Sequence, residues 1–366
     1  MKMNKKWVTL FERYESFHHV KDVGQIPFHA NKILGYNSEI WRKANSGVLS
    51  GKPEGYEVVD IPSKRSGVKL SFSIITKLIS ESKNISVLNI FHFRYYSLIY
   101  AFFYKIFNRN GIVVLKCDGS DNVFPLQSKR KLRPFLFFFV KKLSMIDVML
   151  VEHQSLMKFY TSYGIKCIYS PNGVTPLFYE SNVIEKDNLP TLIFIGKCGD
   201  PRKNAESLVE ALLQIKLEFR IFFVGGETAE FHSFFKNKTA SLPAEIIGRF
   251  KFSGFIEEQQ QVLEIYDKSH LFLMTSLHEG YPLSLSEACW RGCFPILSLG
   301  AGGRDMADAG CAAIYSNNME LVNILNEKLN NLSATKQLGK RSRQYVESNN
   351  DWRVIMKKVD EIVSDE

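Results

Sequence analysis

The sequence predicts an α/β protein built from two doubly wound, Rossmann-like domains joined by a hinge. Short apolar runs recur along the chain with helical spacing between them. The runs are continuously apolar rather than alternating, as strands of a parallel sheet are when helices cover both faces. The alternation also stops once near the middle and then restarts, and 366 residues at 45% hydrophobic and 13% aromatic supply cores for two domains.

In the first half, KWVTLF, EVVDI, SVLNIF, GIVVLK, DVMLV and KCIYS read as strands, and 24–34 and 71–81 carry helical spacing. After Pro171 comes NGVTPLFYESNVIEKDNLP, with two prolines, three asparagines and a charge cluster. This reads as a linker over 171–190 between a first domain at 1–170 and a second at 191–345. The second domain runs TLIFIGK strand, AESLVEALLQI helix, FRIFFVGG strand, FKFSGF strand, EEQQQVLEIYDKS helix, HLFLMTS strand, PLSLSEACWRG helix and FPILSL strand. From 319 to 363 the spacing is helical, and 346–366 forms a terminal helix that can return to the first domain. Ligands of such sheets sit beyond the carboxyl ends of the strands, so a cleft between the two sheets is the expected place for chemistry.

Composition narrows the partners. The longest aromatic run, PFLFFFV at 134–140, is far short of the roughly 18 apolar residues of a membrane span, and MKMNKKWVTLFERYES lacks the apolar core of a secretory signal. Six scattered cysteines, without C-x-x-C pairs or neighbouring histidines, fit packing thiols of a reduced cytoplasmic protein rather than a zinc site. The net charge of +9 is uneven: residues 1–175 hold 26 Lys+Arg against 12 Asp+Glu, the remainder 21 against 26. One domain therefore faces an anionic partner. SKRKLRPFLFFFVKKLS at 128–144 reads either as a contact with an anionic membrane surface or as a core-facing helix with solvated basic residues. No nucleic-acid-binding module accompanies it, so nucleic acid is not an expected partner.

The densest chemistry lies in MTSLHEGYPLSLSEACWRGCFPILSL at 274–299, where Glu279 and Glu287 stand eight positions apart. The strand ends at Ser276, a turn carries Glu279 and Gly280, and a helix starts near Pro282, whose fixed φ suits a first helical position. Amides from Gly280 through Ser284 would then face outward as an anion site, with a carboxylate on either side for sugar hydroxyls. Upstream, FIGKCGDPRKNAESLVEAL puts Lys197 at a strand end and Lys203 at a helix start, two ammonium groups suited to a diphosphate leaving group. The plainer alternative is a loop carboxylate, a solvated helix residue and a turn with ordinary surface charges.

With SPNGVTPLFY, FFVGG and FSGFIEEQQQVLEIYDKSHLFLMTS in order between these pieces, the chain resembles the retaining GT-B glycosyltransferases of group 1, or family 4, over about 170–303. The two glutamates match that family's E-x7-E motif. The resemblance implies that Glu279 contacts the donor sugar, Glu287 the nucleotide ribose, and Lys197 and Lys203 the diphosphate. It further implies that the backbone of Gly280, Tyr281, Pro282 and Leu283 lines phosphate and sugar, and that Phe255 and Ile256 border the base. HHVKDVGQIPFHANKIL takes the place of the family's glycine-rich loop and is similar to bacterial polysaccharide-assembly members; Gly24 would admit the diphosphate there or simply open a helix. Where the family often has a His-Asp pair, VVLKCDGSD has Cys117 and Asp118, leaving Lys116, Asp118 or His92 to stand in. The implied activity is metal-independent, cofactor-free transfer of a hexose from a nucleoside diphosphate sugar to a glycan acceptor, lipid-linked at the inner face of the cell membrane, in surface polysaccharide assembly. A sugar-nucleotide epimerase and a non-catalytic nucleotide-sugar-binding module at the membrane are the alternatives.

Overall fold

A computed structural model describes residues 5–47, 49, 51–63, 70–119, 145–180 and 185–364. The basic aromatic stretch at 128–144 lies outside the described residues. The chain divides into two compact units, Met1–Asn172 with Asn349–Glu366, and Gly173–Ser348.

The first unit holds β1 (Lys6–Leu10), β2 (Asn37–Lys43), β3 (Glu57–Ile61), β4 (Val87–Phe91), β5 (Ile112–Cys117), β6 (Val148–Val151) and β7 (Cys167–Tyr169). They form one sheet in the order β3-β2-β1-β4-β5-β6-β7. Every pairing is parallel. Consecutive strands step outward from β1 to one side as far as β3, then from β4 to the other, so the topological switch lies between β1 and β4. The strand β2 escaped the apolar pattern because its NSEIWRK sequence is charged. Those charges are answered by neighbours: Glu39 meets Lys6 at 2.8 Å, Arg42 meets Asp60 at 2.7 Å, and Lys43 meets Glu12 at 2.7 Å.

The second unit repeats the plan with β8 (Thr191–Ile195), β9 (Arg220–Val224), β10 (Phe250–Phe252), β11 (Leu271–Met274), β12 (Phe294–Ser298) and β13 (Ala313–Tyr315). Its order is β10-β9-β8-β11-β12-β13, again with parallel pairings and a switch between β8 and β11. The three residues of β13 are too few to show a period.

From Gly173 onward the described part of the expected linker belongs to the second unit. Val174 and Phe178, the latter on the helix Pro176–Glu180, are each 1% exposed in that unit's core. The Lys186 ammonium donates to the carbonyls of Tyr266, Ser269 and Arg291 at 3.0, 2.5 and 2.6 Å. Such a clamp on three carbonyls fixes a segment whose composition alone reads as loop.

At the other end, the helix Trp352–Ser364 packs on the first unit, burying Trp352, Ile355, Met356 and Val359 with Val23, Ile26 and Ile40. The preceding helix, Leu332–Asn349, runs past residue 345 and remains with the second unit to Ser348. All six cysteines are free thiols. Among the described residues no helix is long and apolar enough to cross a membrane. Because Trp352 is fully buried, Trp352→Ala should lower the stability of the first unit by about 3–5 kcal/mol, read as an earlier urea transition.

Candidate functional site

The second unit brings its functional side chains together at the carboxyl ends of β8, β9 and β11. The turns after β8 and β9 run side by side: Gly196 N–H donates to Val224 O at 2.9 Å and Cys198 N–H to Gly226 O at 2.8 Å. Gly225, at φ +138°, lies on this seam, where a Cβ would fall 2.3 Å from Gly196 O. Only glycine allows that approach. Lys197 follows Gly196 and is exposed. Past it, the loop folds back with Lys203 N–H on Asp200 O at 2.8 Å. It is tied to the end of β11 by Thr275 Oγ1 donating to Lys203 O at 2.6 Å and Leu277 N–H to Arg202 O at 2.8 Å.

Glu279 stands on the turn after β11, its N–H bound to Gly300 O at 2.8 Å. Its Oε1 lies 2.5 Å from Lys203 Nζ. Both side chains are about a quarter exposed, at 23% and 24%, so the pair is neither sealed nor worth much by itself, and a ligand can reach and replace either partner. Pro282 is the cap of the next helix, Leu283–Trp290, rather than its first residue, with ψ at 137° in the extended region. Tyr281 is 2% exposed in the core.

Glu287 lies one turn into that helix. Its Oε2 accepts from the Tyr266 hydroxyl at 3.0 Å. Burial pushes its carboxyl up to about 7, against the opposing effect of the Tyr266 hydrogen bond. Lys197, Phe255, Ile256 and Glu287 all line one cavity of about 550 Å³, with Phe178 and Gly196. The Lys203 stem passes so close to Gly196 that a Cβ there would be 3.2 Å from Lys203 Cδ, which sets the Lys203–Glu279 pair at the cavity's edge. Gly280, Tyr281 and Pro282 form the turn after Glu279 and Leu283 opens the helix; none of the four lines this cavity. Phe178 and Tyr266 are additions that sequence reasoning missed. Phe178 was hidden in the stretch read as linker, and Tyr266 reads only as one more apolar position of the helix Gln259–Lys268.

The first unit arranges its candidates differently. Gly24 is not in an open loop. It sits in the first turn of the helix Asp22–Lys32, where a Cβ would lie 2.6 Å from His19 Cα and O, so its role is close packing of the preceding turn. Cys117 is buried with its Sγ 3.4 Å from the Tyr160 hydroxyl, and burial pushes the thiol up to about 11, which makes it a packing residue. Lys116 is fully buried, donating to Ser170 O at 2.7 Å and lying 3.4 Å from Glu152. His92 Nδ1 and Asp118 Oδ2 meet at 3.1 Å across the ends of β4 and β5. His92 holds φ +61°, uncommon for a residue with a Cβ.

Carboxylate oxygens of Asp22, Asp118 and Glu152 lie within 4.8 Å of one another. Burial, with the Asp118 charge added, pushes Asp22 up to about 6, and burial pushes Glu152 up to about 8. For Asp118 burial acts upward too, but His92 and Lys116 outweigh it and hold the carboxyl below its usual range. Neither Asp22 nor Glu152 was foreseen; each is a lone acidic residue beside a strand end or helix start, with no spacing to mark it.

The Glu287 shift has a definite sign in stability. The folded-state value near 7 exceeds the ordinary 4.5, so the folded state binds this proton more tightly than the unfolded chain does. Stability is therefore lost as pH rises from about 4.5 through 7, by on the order of 1–3 kcal/mol. Denaturant titrations across this range should show that slope in the parent chain and a flatter one in Glu287→Gln.

Residues 180–345 match the model of the family described as glycosyl transferases group 1. No curated protein matches the sequence. Among solved structures, the chain is similar to the lipopolysaccharide outer core galactosyltransferase WaaB in its apo form, at 16% identity and TM-score 0.70, covering 99% of this chain and 100% of that one. It is also similar to HepE from Anabaena in complex with UDP-glucose, at 14% identity and TM-score 0.66 over 99% and 100% of the two chains. A third likeness is to sucrose-phosphate synthase from Thermosynechococcus elongatus, at 14% and 0.65 over 99% and 98%. The chain thus has the two-domain GT-B fold, and the residues that match the model of glycosyl transferases group 1 lie within its second unit.

Proposed function

We propose that the protein transfers a hexose from a nucleoside diphosphate sugar to a hydroxyl of a glycan acceptor. The observation that carries this reading is the meeting of Lys197, Glu287 and the edge pair Lys203–Glu279 around one cavity of the second unit. Phe255 and Ile256 offer an apolar border for a base, and Glu287 has Oε1 left for a ribose hydroxyl once Oε2 is engaged by Tyr266. When the donor enters, its diphosphate takes the place of Glu279 as the counter-charge of Lys203. Glu279 is then released to a sugar hydroxyl. Lys197, Lys203 and the amides that head the helix Leu283–Trp290 carry the charge that develops as the bond to the sugar breaks. Transfer on this reading needs no metal and retains the anomeric configuration, with a departing phosphate oxygen taking the acceptor proton.

The complex of the similar HepE with UDP-glucose supports a uridine donor. The first unit takes the acceptor, with the His92–Asp118 pair facing it, His92 supplying from β4 the imidazole that position 117 lacks. A lipid-linked acceptor in bacterial surface polysaccharide assembly, met at the inner membrane face, fits the basic excess before residue 175 and the 128–144 sequence.

Screening nucleotide sugars by thermal stabilisation tests the donor assignment. UDP-glucose or UDP-galactose at about 100 times its dissociation constant should add about 2.7 kcal/mol. Lys203→Ala should lower kcat/KM for transfer by about 10²–10³-fold with the fold retained by circular dichroism, and EDTA should leave the parent rate unchanged. Conversion of the nucleotide sugar at an equal rate without acceptor would favour an epimerase instead.

A further inference from the structure

Beyond the donor site, the first unit has a cavity of its own at its topological switch point, where open α/β sheets bind ligands. It occupies about 160 Å³ at the carboxyl ends of β1 and β4. That is room for several water molecules, on the scale of one sugar ring. Phe11, Phe91 and Tyr96 contribute aromatic surface, and His92, in its left-handed conformation and bound to Asp118, contributes an imidazole.

The charges around this cavity do not cancel. Its one carboxylate, Glu12, is 5% exposed and already satisfied, by Lys43 at 2.7 Å on Oε2 and by the Tyr100 hydroxyl at 2.7 Å on Oε1. Tyr100 in turn accepts from Ser71 N–H at 2.9 Å, so the floor is a closed polar network that holds its shape. Arg13 and Arg94 also line the cavity, both exposed, and among the described residues neither has a carboxylate within ion-pair distance. Arg94 bonds only a neutral group there, the Tyr96 hydroxyl at 2.9 Å, and that bond steadies the guanidinium beside the ring. Asp118, held on His92, adds one carboxylate that feels the Arg94 charge without pairing to it, so two guanidinium groups leave the rim net positive over an aromatic pocket, which matches a planar or tetrahedral anion attached to a sugar.

We propose that this cavity seats one sugar ring bearing a phosphate or carboxylate, whose anionic group is met by Arg13 and Arg94. In calling that sugar part of the acceptor, the proposal rests on the glycosyl-transfer reading; the binding itself does not. The reacting hydroxyl would then belong to a residue presented beside His92.

Isothermal titration of the full chain with glucose 6-phosphate, glucuronic acid and glucose tests it, with UDP titrated separately to report on the second unit. The expected result is that at least one charged sugar binds 10-fold or more tightly than glucose, the stronger of the two identifying the anion. Arg13→Ala and Arg94→Ala should each weaken that binding at least 10-fold and leave UDP affinity unchanged. The proposal is overturned if charged and neutral sugars bind alike or not at all, if the double variant keeps the charged sugar's affinity, or if inorganic phosphate binds as tightly as glucose 6-phosphate. Failure of UDP to bind overturns the donor reading alone.

Discussion

The donor-side geometry depends on backbone contacts too close for any side chain. Gly225 lies on the Gly196 carbonyl, Gly300 on that of Leu277 and Gly302 on that of Gly280, each at a spacing where a Cβ would be 2.3 Å or less from the oxygen. These contacts join the turn after β8 to that after β9 and the turn after β11 to that after β12, and the bonds of Thr275 Oγ1 to Lys203 O and Leu277 N–H to Arg202 O tie the two pairs together. Lys203 and Glu279 are 76 positions apart in sequence, yet their charged atoms come within 2.5 Å because the loops that carry them cannot separate. The chemistry of the pair is ordinary; its placement is set by backbone contacts and hydrogen bonds in which neither side chain takes part.

The first unit places its polar groups by another means. Lys116, Glu152 and Asp22 are buried at strand ends, where an unmatched charge would cost several kcal/mol. Lys116 stays charged because carboxylates surround it, its affinity for the proton rising despite burial. Burial pushes Asp118, the most exposed of the three carboxyls, upward, but His92, Lys116 and Arg94 hold it below its usual range. In the second unit Glu287 is the counterpart: a carboxyl raised by burial and oriented by Tyr266, ready to accept or donate a hydrogen bond near neutral pH.

Fold and donor site were legible in the sequence to different depths. Strands such as TLIFI and VLNIF could be read directly because a parallel sheet buries both faces and leaves no alternation to interpret. The charged β2 was illegible for the complementary reason: its partners Glu12, Lys6 and Asp60 come from distant positions, and a local pattern cannot announce a distant counter-charge. Lys197 was readable at a strand end and Glu287 one turn into a helix, whereas Phe255 and Ile256 were named through the family resemblance alone. Tyr266 and Phe178 were not readable, because what qualifies them is the neighbour they touch across the core. Pro282 shows how fine the limit is: proline suits the first helical residue, yet here ψ is extended and it caps the helix one position earlier.

These two means of placement differ in what substitution can reach. Seams made of glycine contacts tolerate almost no change at the glycines but allow wide change in the side chains they present, since the backbone alone fixes position. A buried charge network couples its members, so replacing one shifts the protonation of the rest. Around the β1 and β4 cavity the exposed Arg13 and Arg94 hang from the rim, Arg94 helping to hold the Asp118 carboxyl low, while Glu12, Lys43 and Tyr100 hold the floor.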